Sequence, residues 1–332
     1  MPGRLGWGLT VIIYVARRIL IGLLLLLVMS FLFFVVTFVI TSNQISGVRA
    51  DPSVLRQQRF DARLRRLGLD QEWYAAYPPF VMALVRGDLG DSYSTGERVT
   101  ARPGQRLPNS VLLFGSALLI ALTLGIPLGV FAATHQYSRL DMFVSVLTYL
   151  GVSIPSFILS IFLLLLLAVF LRASPLHWGF PLFGMHAGGQ DDLGDLLLHM
   201  VLPVTALSIP LIATFSRFMR ASMLEVLHQD YVRTGVAKGL PLLTVRYKHA
   251  LRNAIIPIIT LVALAIPTLV SGTVIIEGIF SWPGMGNLAF NAAINRDYPM
   301  VLGILLVVGS LTVVLNIVAD VLYAVVDPRI RY

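Results

Sequence analysis

Uninterrupted apolar blocks of about twenty residues dominate the chain, and few folds accept them. The longest, ILIGLLLLLVMSFLFFVVTFVIT over residues 19–41, runs for 23 residues without a charge. A helix rises about 1.5 Å per residue, so about 20 residues cross a hydrocarbon core of about 30 Å. Laid along the sequence, that ruler marks six spans, at about residues 19–41, 110–134, 142–171, 196–215, 254–276 and 300–326. The expected fold class is therefore all-α and integral to a membrane, with six transmembrane helices. Composition agrees, since only 13% of the residues are charged, about half the share in a soluble domain. Arg17 and Arg18 ahead of the first block resemble the start of a secretory signal, but the block exceeds the 7–15 residues of a signal's apolar region, roughly. It is expected to stay as a helix.

Direction follows from the loops, because short loops rich in Lys and Arg stay in the cytoplasm. Residues 216–253 carry Arg217, Arg220, Arg233, Lys238, Arg246, Lys248 and Arg252 against Glu225 and Asp230. This loop is expected inside, the loop with Asp191, Asp192 and Asp195 outside, and both termini in the cytoplasm. The loop 42–109 holds ten Arg and seven acids, but loops beyond about 60 residues escape the charge rule. The domain organisation read from this is 1–41 for the N-terminus and first span, 42–109 for an extracytoplasmic loop region, and 110–332 for a five-helix core with the cytoplasmic loop 216–253. The net charge of +8 is the basic bias of inner loops, and no nucleic-acid partner is expected.

The tools of an enzyme are absent from the sequence. It contains no phosphate-cradling G-x-x-x-x-G-K-[ST], no H-E-x-x-H, no G-x-S-x-G and no cysteine. No catalytic, metal or cofactor site is expected. The six histidines are read as solvated or interfacial residues at loops and helix ends. Ionisable groups in hydrocarbon usually mark an ion route, yet the first five spans have essentially none inside. The sixth holds Asn316 and Asp320 one turn apart, with Asp320 close enough to the cytoplasmic end to be solvated or paired with Arg329 or Arg331. So little buried charge argues against an ion-coupled carrier and for passive carriage or an external energy source. An ATP-independent secondary transporter or channel subunit remains the alternative reading. Pro127, Pro155, Pro203, Pro210, Pro257 and Pro267 fall within spans, where each removes a backbone donor and bends its helix.

Residues 216–260 are organised beyond what a connector needs. Met219, Met223, Leu224 and Leu227 form a stripe at three- and four-residue spacing, and Gly239 followed by Pro241 stops the chain. The spacing predicts a short amphipathic helix near residues 221–229, which periodicity alone lets either rest in headgroups or dock into a groove on a soluble partner.

LEVLHQDYVRTGVAKGL (224–240) followed by HALRNAIIPIIT (249–260) resembles the coupling loop of ABC importer permeases. GLDQEWYAAY (68–77), RGDLGDSY (86–93), EGIFSWPGMGNLAFNAAINRDYP (277–299) and NIVADVLYAVVDPRIRY (316–332) resemble the dipeptide, oligopeptide and nickel branch of that family, in order over nearly the whole chain. Two departures stand out. Gly235 and Val236 replace a usual Ala-Arg pair, and only Asp51 and Pro52 match a usual Pro-Gly-Asp-Pro turn.

The resemblance implies a type I importer permease (MetI-like) architecture in a bacterial or archaeal inner membrane. It implies a second homologous permease subunit, two ABC ATPase subunits that hold ATP and Mg, and an extracytoplasmic substrate-binding protein. The chain itself would bind no cofactor. Its coupling residues would be Ala221, Leu224, Glu225, Leu227, Asp230, Tyr231, Lys238 and Gly239. Ser153, Ser156, Ser208, Thr268 and Ser271 are polar enough to touch a peptide backbone along a path, or small enough to let helices approach. The first outer loop and residues 282–299 are expected to receive the binding protein.

Overall fold

A computed structural model describes residues 4–48, 72–173, 180–187, 192–268 and 273–326, with only the backbone described at 4–15, 37, 40–48, 171–173 and 320–326. The sequence-derived candidates Ser271, Asp51, Pro52, Arg329 and Arg331, and the side chain of Asp320, lie outside this description. Among the described residues the secondary structure is helical apart from one isolated bridge, Asp91 to Arg98. The helices are α1 (Arg4–Val48), α2 (Trp73–Val85), α3 (Ala101–Thr134), α4 (Arg139–Ser153), α5 (Ser156–Ala173), α6 (Leu193–Leu227) and α7 (Asp230–Ala237). There follow α8 (Leu242–Ala254), which contains a π-helical turn over Val245–Ala250, then α9 (Ile256–Ala265), α10 (Val274–Ile279), α11 (Met285–Ile294) and α12 (Tyr298–Val326).

Four stretches are long and apolar enough to cross a bilayer alone: Ala16–Val36, Ala101–Thr134, Leu193–Leu227 and Tyr298–Ala319. Two more candidates are bent pairs, α4 with α5 at 102° and α8 with α9 at 43°. The third expected span, 142–171, is thus not one rod. Pro155 is the cause: the residue before a proline is driven out of the helical region, and Ile154 takes φ −88°, ψ 117°. At the milder bend Pro257 sits in the first turn of α9, where its missing N–H is harmless.

Three boundaries depart from the sequence reading. Helix α3 starts at Ala101, ahead of residue 110, because Pro103 is tolerated in a first turn. Helix α8 starts at Leu242, directly after Pro241, not at 254. The expected separate helix near 221–229 does not exist. Helix α6 continues through it to Leu227, at about 1.5 Å per residue an unbroken rod of about 52 Å. No breaker stands between Phe215 and Leu227, and Met219 and Met223 are fully buried on its inner face.

The chain divides into two compact units. The first comprises Met1–Pro108 and Leu288–Ile317. Within it α2 packs on α1 through Phe34, Ala76 and Phe80. The second comprises Asn109–Asn287 and Val318–Tyr332. Its larger core joins Phe114, Leu118 and Ala121 of α3 to Phe215, Met219 and Met223 of α6 and to Val245, Ala254 and Ile258. Glycines bring α3 against α6. A Cβ on Gly129 would lie 2.5 Å from the Ser216 carbonyl oxygen and 2.6 Å from the Met219 Cβ. Close helix approach through small residues is how membrane bundles gain packing energy where lipid is as apolar as leucine.

Candidate functional site

Three constructions carry the functional signals. The first is the connector between α6 and α9. Helix α7 opens at Gln229, with Asp230 in its first turn where the helix dipole favours an acid. It buries only Val232, and Asn253 Nδ2 donates to the Tyr231 hydroxyl at 2.8 Å. The other faces are open: Tyr231, Val236, Leu240, Leu242, Leu243 and Tyr247 are large exposed apolar or aromatic side chains. Lys238 and Gly239 make the turn, and Gly239 takes φ +78° with nothing within 4 Å of a built Cβ. Backbone conformation, not crowding, calls for glycine there. Gly235 differs: a Cβ would meet Val245 at 3.6 Å, ordinary contact. Gly235→Ala is therefore expected to stabilise α7 by about 0.5–1 kcal/mol, read as a raised midpoint of thermal unfolding of the purified chain.

Of the sequence-derived coupling residues, Ala221, Glu225, Asp230, Tyr231, Lys238 and Gly239 are exposed, whereas Leu224 and Leu227 are partly buried against the chain's own core. The stripe read as a possible docking face thus faces inward. Ser222 Oγ also donates to the Ala254 carbonyl at 2.9 Å, fastening α6 to α8.

A second construction goes beyond the sequence reading: an ion pair between α4 and α6. Arg220 donates from Nε to Asp141 Oδ1 at 2.7 Å and from Nη2 to Oδ2 at 2.9 Å. Asp141 is 3% exposed. It also accepts from the Tyr137 N–H at 2.9 Å, while its own N–H donates to the Ser138 hydroxyl at 3.1 Å. Tyr137 has φ +64°, a conformation unfavourable for a side-chain-bearing residue, so the carboxylate steadies a strained turn as well as a helix start. Beside this pair lies a cleft of about 270 Å³ lined by Ser145, Thr148, Tyr149, Ser216 and Arg217. A capping-box pattern, Ser138-x-x-Asp141 before an apolar run, marks Asp141 as a helix-start acid but says nothing of its partner.

The third construction gathers the segments between the later helices. Glu277, fully buried, accepts from Ser110 Oγ at 2.8 Å and from the Asn287 N–H at 3.0 Å. Burial pushes its carboxyl above the ordinary range, against the pull of those donors. Ser110 Oγ in turn accepts from the Met285 N–H at 2.8 Å, so both side chains cap α11. Trp282 is completely buried and donates to the Asn109 carbonyl at 3.0 Å.

In the first unit, Asp297 organises the loop 91–98. It accepts from Ser92 Oγ, from the Tyr93 N–H at 2.9 Å, and from the Ser94 N–H and Oγ at 3.2 and 2.7 Å. Burial alone would raise this carboxyl, but the donors outweigh it and hold it below the usual Asp value. A depressed folded pKa contributes stability above the unfolded value of about 3.9, and that contribution is lost as pH falls through the folded value. Acidification below pH 4, roughly, is expected to lower the amide-exchange protection factors over residues 91–99, taken against the intrinsic rate at each pH. Asp297→Asn should already show low protection factors there at neutral pH and little further change in them with acid.

Four of the path candidates lie among the described residues. Ser153 and Ser156 flank the α4–α5 bend, with the Ser153 hydroxyl donating to the Tyr149 carbonyl at 2.7 Å. Ser208 is buried in α6 and donates to the Thr205 carbonyl at 3.3 Å. Thr268 follows α9 and is partly buried. The histidines also divide. His199, read as solvated or interfacial, is buried, with Nδ1 2.8 Å from the Asp195 carbonyl one helical turn away. His186 Nδ1 lies 3.1 Å from Asp195 Oδ2. Helix α6 begins early enough, at Leu193, to place His199 inside it. No cluster of metal-ligand type is present among the described residues.

The model of the family described as binding-protein-dependent transport system inner membrane component matches residues 125–332. The chain belongs to this family. The match takes in the α3–α6 packing, the α4–α6 ion pair and the connector. Curated relatives extend the likeness to almost the full length. A putative peptide permease protein of Brucella suis is 39% identical over 320 residues, 96% of this chain and 98% of that protein. The oligopeptide transport system permease protein AppB of Bacillus subtilis is 36% identical over 321 residues, 96% and 99% of the two chains. The di/tripeptide transport system permease protein DppB of Pseudomonas aeruginosa is 36% identical over 334 residues, 96% and 98%. The chain is thus a multi-pass membrane protein of a transport family whose members are permease subunits and not ATPases.

Proposed function

We propose that this chain is one half of the membrane passage of an ATP-driven importer for di- or oligopeptides. The passage lies in a bacterial or archaeal inner membrane, with six crossings and both termini in the cytoplasm. The α4–α5 and α8–α9 pairs then each count as one bent span. A second permease subunit completes the passage, two ATPase subunits binding ATP and Mg sit beneath, and an extracytoplasmic binding protein delivers cargo. Peptide cargo rests on the names of the relatives, three of which are peptide permeases.

The observation that carries the reading is the connector. Its exposed Tyr231, Val236, Leu240, Leu242 and Leu243 form an apolar surface beside Arg233, Lys238, Arg246 and Lys248, while Val232, Val245 and Ala254 root it in the same core as α6. An exposed apolar patch rimmed by charge marks a docking surface. A force on it reaches α6 without passing through a loose loop, since α6 projects well beyond the length of one crossing. Docking therefore falls to α7 and the Lys238–Gly239 turn, with Ala221 and Glu225 on the exposed end of α6 beside them. Leu224 and Leu227 transmit the force into the core. Closing of the ATPase pair on ATP tilts α6 and opens the passage outward. Ser153, Ser156, Ser208, Thr268 and Ser271 stay candidates for contact with cargo.

Gly239→Trp tests the assignment. In the complete transporter in vesicles, ATP hydrolysis is expected to continue while peptide uptake is largely lost, because a bulky residue is strained at φ +78°. Unchanged uptake would remove the connector from the mechanism. Peptide accumulation by the chain alone, without nucleotide, would instead establish the secondary-transporter alternative.

A further inference from the structure

Helix α2 has no charged residue in its 13 positions, WYAAYPPFVMALV, and is apolar on every face. One face is covered by α1. Tyr77 sets its ring edge-on to Phe31 at 5.4 Å and to Phe34 at 5.2 Å, Phe80 lies 5.4 Å from Phe34, and the Tyr77 and Ser30 hydroxyls are 3.0 Å apart. The opposite face is bare among the described residues: Tyr74, Met82 and Val85 are 53 to 80% exposed, and Trp73 at the first position is exposed as well. A helix apolar all round is not stable facing water. At 13 residues it is about 20 Å long, too short to span.

The position of α2 along α1 decides what covers it. The apolar block of α1 runs on to residue 41, and α2 packs on Ser30, Phe31, Phe34 and Phe38 in its second half. Helix α2 is therefore docked within the last turns of a crossing segment. Phe31, Leu32, Val35 and Val36 of α1 are themselves exposed there, so the bare face of α2 continues the exposed apolar surface of that crossing segment. Glu72 and Arg86 stand at its two ends, and charges flank it without interrupting it. Trp73 and Tyr74, stacked edge to face at 5.9 Å, are the residue types that settle at a membrane–water boundary.

We propose that α2 is a partly inserted helix at the rim of the bilayer, with its outward face in lipid acyl chains and headgroups. It is then a ledge holding the Asp297 loop at a fixed height, and its bare face is no part of the landing surface for a soluble protein. The expectation that the whole first loop receives the binding protein is narrowed to what lies outside α2.

The chain lacks cysteine, which makes nitroxide labelling direct. Tyr74→Cys and Val85→Cys, labelled in the full chain and reconstituted in phosphatidylethanolamine–phosphatidylglycerol vesicles, are compared with Leu24→Cys on the exposed face of α1 and Lys238→Cys in the exposed turn. Power saturation is expected to favour oxygen over a water-soluble nickel chelate at 74 and 85, as at 24 and opposite to 238. As an independent measurement on the chain without label, brominated lipids should quench Trp emission, and Trp73→Phe should lose part of that quenching. Preferential access of the nickel chelate at 74 and 85 would overturn the proposal, as would shielding of these positions only when a soluble binding protein is added. None of these readouts depends on transport, so failure here and failure of the importer reading are distinguishable.

Discussion

Gly129→Val is expected to destroy the α3–α6 contact and with it the stable fold of the second unit. The Cβ alone would stand 2.5 Å from the Ser216 carbonyl oxygen and 2.6 Å from the Met219 Cβ, and it would press on the Arg220 nitrogen at 3.1 Å. Two of these three neighbours are backbone, so no side chain can swing away to make room. The helices must separate over the segment where Phe215, Met219 and Met223 are almost fully buried. Overpacking of a tight core costs about 1–3 kcal/mol, and a forced separation of two helices belongs at or above the upper end. The check is the thermal midpoint and yield of monodisperse protein after detergent extraction, with Gly235→Ala as the control. A Gly129→Val protein as stable as the parent would mean that α3 and α6 are not in backbone contact.

Asp141→Ala is expected to be the most damaging single loss of a charge. It strands the Arg220 guanidinium, which donates two close bonds to this carboxylate, and removes the acceptor that steadies Tyr137 in its positive-φ turn. Breaking a buried pair from one side costs on the order of 3 kcal/mol. Arg220 retains some solvent access, which lets water recover part of this. Removing both partners leaves no uncompensated charge, so Asp141→Ala with Arg220→Ala should be less destabilised than Asp141→Ala alone. Thermal midpoints of the two single variants and the double variant give the coupling directly. Simple additivity would mean that the pair is a contact without energetic content.

The apolar blocks announce α1, α3, α6 and α12 because twenty uncharged residues have little alternative to a helix in lipid. Their ends are less legible. The stripe Met219, Met223, Leu224 and Leu227 suggests a separate docking helix, and its helical periodicity is correct. A stripe records that a face is buried without saying by what, and here the cover is α3 and the Val245–Ile258 segment of the same chain. The proposed docking surface lies instead on α7, whose eight residues give too short a window for periodicity to register. Asp141 escapes notice because it stands at the border of an expected span, where a carboxylate is ordinarily solvated. Only the distance across to Arg220, 79 positions along the chain, makes it a buried acid.

The sequence by itself determined that the chain is a bundle of membrane helices with a basic, organised connector. Hydrophobic length and charge placement are local properties, and they act before any tertiary contact forms. Its motifs also carried the family to which it belongs. The tertiary structure alone decided which polar residues inside the bundle are paired, where glycine is required by contact and where by φ, and which faces stay open. Those outcomes depend on residues far apart in the chain arriving at the same point, and no window of sequence contains that information.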